Sequence, residues 1–422
     1  MRKKLSMHKS LMIIFFIVFI CFSSAINAQV IAVKAKKIYT VSHGIIENGV
    51  ILIRDKKIEA VGTEMEVSWN ADIVDFSQKI IVPGLVEAHA VRGYDIANET
   101  NPLTPFVTVF DSIDTSHDAF KTALRDGVTT LCVMPGNRTI LGGIGIIVKP
   151  VGLVVEDMVL VPDAGMKVSV AGTGSQTRMG VMAQLRRYFN EAIEYMENKE
   201  LEASKKNEEK MVSTPGSFRS PEYVKYESVA DLLRGRYRAF VYCESPSDVI
   251  RAQKLAERFD FQSVYVLGPE CYRAADFIQE NKLRVVLDPE IVYFEKDPMT
   301  EKIKKVETAK VFHEKGVAFA LQSDPAKVHT RSLFYQAMRA MSSGLNDTEV
   351  LESVTLIPAQ ILGMESLVGS IDKGKLANFV VLDDEPFRLS TKVEFVYIEG
   401  KLVYEREKDE QLKKLFREKI IR

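Results

Sequence analysis

Between residues 117 and 324 the sequence repeats one unit, an amphipathic helical run followed by a short apolar run. "HDAFKTALRDG" precedes "VTTLCVM", "SPSDVIRAQKLAERF" precedes "SVYVLG", "YRAADFIQEN" precedes "LRVVLD", and "AKVFHEKG" precedes "VAFALQSD". Each helical run spaces its apolar residues three to four apart, and each strand is nearly continuously apolar. Strands of that kind lie in a parallel sheet covered by helices, because both of their faces must leave water. The predicted class is therefore α/β, either a closed barrel or a doubly wound sheet. No Gly-x-Gly-x-x-Gly follows an early strand, which removes the main reason to choose a dinucleotide-binding sheet.

The two ends read differently. Residues 30–80 form short strands with tight turns ("VIAVKA", "KIYTV", "ENG" turning into "VILIRD", "KIEAVG"), and "KGKLANFVVLDDEP" with "VEFVYIEGKLVYE" reads the same way. A β-rich start and finish around a long middle predict one small β domain built from both termini. The expected division is a leader at 1–28, a small β-sandwich from 29–80 and 368–405, a barrel at 81–367 and a C-terminal helix at 406–422. That helix carries Leu412, Leu415, Phe416 and Ile420 on one side. The composition, 46% hydrophobic and 27% charged, suits a large core. Residues 191–210 read as a charged, solvated helix.

The first 28 residues combine Arg2, Lys3, Lys4 and Lys9 with the apolar "LMIIFFIVFICF" and the small-residue "SSAINA". This is the pattern of a cleavable signal peptide ending at Ala28, so a periplasmic or secreted protein is expected, with no membrane contact once the leader is gone. Cleavage removes four basic and no acidic residues, leaving 52 basic against 57 acidic. There is no concentrated basic stripe to hold nucleic acid. Cys132, Cys243 and Cys271 remain, at wide irregular spacing that offers no disulfide framework.

One stretch suggests chemistry. "IIVPGLVEAHAVRG" runs an apolar strand through Pro-Gly to a lone histidine, His89, with Val91 two residues on. With "RDGVTTLCVMPGN", "LGGIGIIVK", "SQTRMG", "LLRGRYRAFVYCES", "GVAFALQSDP", "VTLIPAQILGM" and "GSIDKGKLANFVVLD", the chain resembles the amidohydrolase superfamily over nearly all of its mature length, in particular the exported imidazolonepropionase-like branch. The resemblance implies a (β/α)8 TIM-like barrel with a small β-sandwich, and metal-dependent hydrolysis of non-peptide C–N bonds. It implies ligands at the strand ends: two histidines one residue apart on strand 1, a carboxylated lysine or glutamate on strand 4, a histidine on each of strands 5 and 6, and an aspartate on strand 8.

Carried over residue by residue, His89 matches the first histidine and Asp324 in "QSDP" the strand-8 aspartate. Val91 cannot ligate. Strand 4 falls near Thr173, strand 5 at Tyr242 or Glu244, and strand 6 at Leu267. His89, Glu244 and Asp324 would make the minimal three-ligand set for one Zn, Mn or Fe; otherwise no cofactor is expected. Arg178 in "SQTRMG" would bind an anionic substrate or pair with a local carboxylate.

Other candidates have plainer readings. His43 lies in a turn, His117 at a helix start, His313 on a charged helix and His329 in a loop. Cys243 faces away from Tyr242 and Glu244 on its strand. Gly142, Gly143 and Gly145 serve tight backbone geometry. Three functions stay open: a noncatalytic relative that binds a small molecule or pairs with itself or an active paralogue, a metal-dependent amide or cyclic-amide hydrolase, and a metal-free hydrolase with Asp324 as general base.

Overall fold

The computed structural model describes residues 30–63, 65–172, 176–208, 221–327 and 329–414. The segment read as a leader, Thr173 and the C-terminal residues 415–422 lie outside them.

The chain opens with β1 (Ile31–Tyr39), β2 (Ile45–Arg54), β3 (Lys57–Gly62) and β4 (Asp72–Pro83). Asp55 and Lys56, both at positive φ, form the two-residue turn between β2 and β3, the geometry that matches the twist of paired strands. The expected turn at "ENG" is instead an irregularity inside β2: Asn48 takes a positive φ and the strand continues through it.

The barrel strands follow as β5 (Leu85–Ala90), β6 (Val128–Val133), β7 (Leu141–Val148), β8 (Val159–Ser169), β9 (Arg238–Cys243), β10 (Ser263–Leu267) and β11 (Val285–Val286). A hairpin of β12 (Val292–Lys296) and β13 (Ile303–Glu307) intervenes before β14 (Phe319–Ala320), the last barrel strand. The chain ends in β15 (Phe379–Leu382), β16 (Val393–Ile398) and β17 (Lys401–Glu405).

Both chain ends share one sheet, as expected, in the order β17-β16-β15-β4-β1-β2-β3. Hydrogen bonding runs through all seven strands of this β-rich second domain, with irregularities at Ala35/Lys37 and Val381/Leu382, and residues of β1 to β4, β15 and β16 share one core.

The second sheet is a nearly closed eight-stranded barrel, β14-β11-β10-β9-β8-β7-β6-β5. It departs from the expected all-parallel order at β7, which runs antiparallel to β6 and β8. The reason is length: residues 134–140 are too few for a crossover helix, so the chain must turn straight back.

Side chains alternate across the barrel wall. Leu131, Val133, Met166, Val168, Val241, Cys243, Tyr265, Leu267 and Leu321 join one cluster with helix residues such as Val249, Leu255 and Phe312. Val86, Cys132, Ile147, Phe240, Val264, Val266, Val286 and Ala320 form a separate inner cluster, with Ala359 and Ile361 of the helix Leu356–Leu362 packed on it. Inner and outer faces are thus read directly from residue parity.

No ladder joins β5 to β14 among the described residues. Side chains stitch that seam. Glu87 Oε1 accepts from the backbone N and the Oγ of Ser323, at 2.8 and 2.7 Å. Arg92 Nη2 lies 2.7 Å from Glu87 Oε2 and also donates to Ser323 Oγ. The Glu87 and Arg92 side chains are 0% and 2% exposed, so this ion pair is part of the core.

Candidate functional site

In a barrel of this kind, side chains from several strand ends converge at the C-terminal mouth. His89, near the end of β5, is there and is 2% exposed. Its hydrogen bonds form a directed chain. Gln322 Nε2 donates to the Leu287 carbonyl at 2.7 Å, which leaves Gln322 Oε1 as an acceptor. His89 Nδ1 therefore carries the proton it shares with that oxygen at 2.8 Å. The lone pair is left on Nε2, and Lys167 Nζ donates to it at 2.7 Å.

Lys167 was missed from sequence. It lies on β8, the fourth barrel strand, between the outward-packed Met166 and Val168, and is fully buried. The strand-4 position expected near Thr173 is thus preceded by a lysine that enters the barrel two positions before β8 ends. The signal was available: in "GMKVSV" a lone lysine and a serine alternate with apolar residues, the pattern of polar groups turned toward an enclosed interior. Burial depresses the Lys167 amine to about 7. His89 is held well below its ordinary value, first by burial and then by the adjacent Lys167. The two groups coexist by sharing one proton-donor and one lone pair rather than two charges.

The remaining predicted residues do not join them. Glu244 is 54% exposed and accepts from Arg178 Nη2 at 2.7 Å. Arg178 also reaches the fully buried Asp248 through Nε at 2.9 Å and Nη2 at 3.2 Å, so local pairing is the reading that holds for this arginine. Asp324 Oδ1 accepts from the Ala326 backbone N in a tight turn. Leu267, taken as the strand-6 position, belongs to the outer cluster; the inner residues of β10 are Val264 and Val266, and the chain then reaches Gly268. Cys243 packs outward and Tyr242 inward, as expected. His117 caps a helix by accepting from Ala119 N, His43 and His313 are exposed, and His329 contacts Glu290 at 2.7 Å.

A metal implied by the family would need about three N, O or S donors around one point. Both nitrogens of His89 are engaged, Val91 and Val266 offer none, and the Glu244 and Asp324 carboxylates are committed elsewhere. Among the described residues no group of three His, Cys, Asp or Glu side chains is placed to hold a metal ion. The donor set, as arranged here, does not fit a divalent ion.

A second polar group sits at the ends of β11 and β14. Asp288 is raised to about 6 chiefly by burial, with Glu290 and Asp324 pushing the same way and Lys327 and the Glu290 backbone opposing. The Tyr242 hydroxyl lies within the field of Asp288 and Glu244 and is raised, mainly by burial.

Comparison with known proteins agrees with this architecture. Residues 269–403 match the amidohydrolase family. An amidohydrolase structure from Thermotoga maritima superposes with a TM-score of 0.79 at 29% identity, covering 89% of this chain and all of that one. The amidohydrolase tasK of Hapsidospora irregularis is 23% identical over 392 residues, 84% of this chain; the chain spans 39% of that relative's length. N-acetylglucosamine-6-phosphate deacetylase of Rattus norvegicus is 42% identical over 66 residues, covering 16% of this chain and 15% of that one. The family match, the full-length structural likeness and the barrel itself place the chain in the amidohydrolase superfamily.

Proposed function

We propose that this chain is a noncatalytic member of the superfamily, of the exported imidazolonepropionase-like branch, in which an internal amine stands where a metal would be held. The observation that carries this reading is the 2.7 Å contact between Lys167 Nζ and His89 Nε2, both buried inside the barrel. A metal can bind His89 only through the lone pair that Lys167 already occupies, and no second donor is placed to help displace it. Exchanging a polar cluster for aliphatic groups such as Val91 and Val266 costs a fold little, whereas leaving single donors unpaired costs much. The barrel then serves to bind a small molecule or to pair with a catalytic partner.

Elemental analysis of the purified chain tests this. Zn, Mn or Fe well below one equivalent is expected, and no carbamate carbon resonance after incubation with labelled bicarbonate. A stoichiometric metal, or a carbamate on Lys167, would overturn the reading.

One observation favours a second reading, a metal-free hydrolase. Asp288, raised to about 6 chiefly by burial, lies close enough to feel the Asp324 carboxylate, and two carboxyls meeting at one barrel mouth are the parts of an acid/base pair. Turnover of an amide panel by the wild type that vanishes in Asp324→Asn, without metal, would establish it.

A further inference from the structure

We infer that a preformed cavity on the barrel lip, beside the His89–Lys167 pair, is a binding site for a small organic ammonium ion with an apolar body. This deepens the binding role proposed above and rests on it. The cavity, of about 370 Å³, lies between the loop that follows β5, the β6–β7 turn and the first residues of β7. That volume falls in the range of small-ligand sites.

Its wall is fixed before any ligand arrives. The backbone N of Thr104 donates to Leu141 O at 2.8 Å, Leu141 N to Pro102 O at 3.0 Å, and Ile144 N to Val107 O at 2.8 Å, so two isolated bridges pin the lip to β7. Glycine is required for this approach. A Cβ on Gly143 would come within 2.5 Å of Val107 O, and one on Gly142 within 3.1 Å of Lys167 Cβ. The floor of the cavity is thus a thin sheet of backbone backed by the buried lysine. A wall held this way loses little entropy when a ligand binds.

The lining states the chemistry. Ile96 and Phe106 are 80% and 45% exposed, an arrangement that leaves apolar surface in water at the rim. Glu99 and Asp111 flank them, and neither side chain makes a hydrogen bond or ion pair among the described residues. Thr104 and Thr139, 6% and 2% exposed, also line the cavity, and their hydroxyls have no partner. Those hydroxyl oxygens lie beneath the cavity surface, so contact with a bound cation falls to the carboxylates at the rim. Two free carboxylates, an aromatic face and an aliphatic rim together select a cation carried on an apolar frame.

Titration of the full chain with benzylamine, and separately with benzyl alcohol, followed by calorimetry or by amide shifts of residues 96–111, tests the inference. Saturable binding of the amine, with the alcohol weaker by roughly tenfold or more, is expected. The Glu99→Gln/Asp111→Asn variant should lose that preference while keeping the wild-type melting curve, since both positions are exposed. Phe106→Ala should weaken both probes. Equal binding of amine and alcohol, an unchanged preference in the double variant, or no binding at all would overturn it. Metal content measured on the same samples separates the two proposals. A stoichiometric metal with amine binding intact defeats only the noncatalytic reading, and no amine binding with no metal defeats only this one.

Discussion

Lys167 and His89 lie 78 positions apart in the chain and 2.7 Å apart in the barrel. The contact places an amine in an interior that water does not reach, and stability should respond to pH because of it. The unfolded chain protonates this lysine up to about pH 10.4, while the folded one releases the proton near 7. Above pH 7 the unfolded state therefore binds more protons than the folded state, and folding strengthens as pH rises. The same sign holds for His89 below 7. The three buried thiols, all raised, act oppositely once ordinary thiols begin to ionise, so the clean window ends near pH 8.5. Between pH 7 and 8.5 the wild type should gain roughly 1–2 kcal/mol in denaturant unfolding. Lys167→Met should flatten that slope. A wild-type curve that is flat or falling across this window would show that Lys167 remains charged.

The seam between β5 and β14 makes a second prediction. Glu87 accepts from two donors of Ser323 across a join that lacks a backbone ladder, and from Arg92 on its own side. Glu87→Gln removes the charge opposite a buried guanidinium and should cost about 3–5 kcal/mol, read as a lower denaturation midpoint at unchanged m-value. Replacing both partners, Glu87→Leu with Arg92→Met, should cost less than Glu87→Leu and Arg92→Met summed, because no uncompensated charge is left. Strict additivity would mean the two side chains do not depend on each other.

These two pairs also mark what could be read from the sequence. Periodicity exposed the αβ units and the two-ended β domain, because burial on one or both faces writes itself into spacing. It placed Cys243 and Tyr242 on opposite faces for the same reason. Leu267 was placed one residue out, since an apolar run such as "SVYVLG" gives no parity mark to say which residues face in. Lys167 had such a mark and was passed over in favour of a motif position. The reversal of β7 was legible only from the short "PGNRT" connection, and the Glu87–Ser323 and His89–Gln322 pairings span more than chain spacing can report.

Asp248 organises the opposite side of the mouth. Its fully buried carboxylate accepts from the backbone N and Oγ of Ser245, from Arg178 and from Arg251. Asp248→Asn keeps the side-chain shape but loses the charge that holds both arginines, and should destabilise by about 3 kcal/mol. Hydrogen exchange should quicken at 176–180 and 245–248 while β10 and β11 stay protected. Glu244→Gln, at an exposed contact, should change stability by less than about 1 kcal/mol. Similar losses from the two substitutions would mean that burial of Asp248 carries no special weight.

The direction of the hydrogen-bond chain through His89 can be observed in the ring itself. Because Gln322 Nε2 is committed to Leu287 O, its Oε1 must accept, and His89 must be the Nδ1–H tautomer. Long-range ¹⁵N spectra should show a neutral ring protonated on Nδ1, unchanged down to about pH 6, since burial and Lys167 both oppose the imidazolium. Gln322→Glu sets a carboxylate against Nδ1–H and should raise the His89 pKa, bringing its titration into view. Lys167→Met should raise it too, by removing the neighbouring cation, while leaving the proton on Nδ1. An imidazolium spectrum in the wild type at pH 6, or a ring protonated on Nε2, would reverse the chain and leave Lys167 without the acceptor that holds it in the barrel.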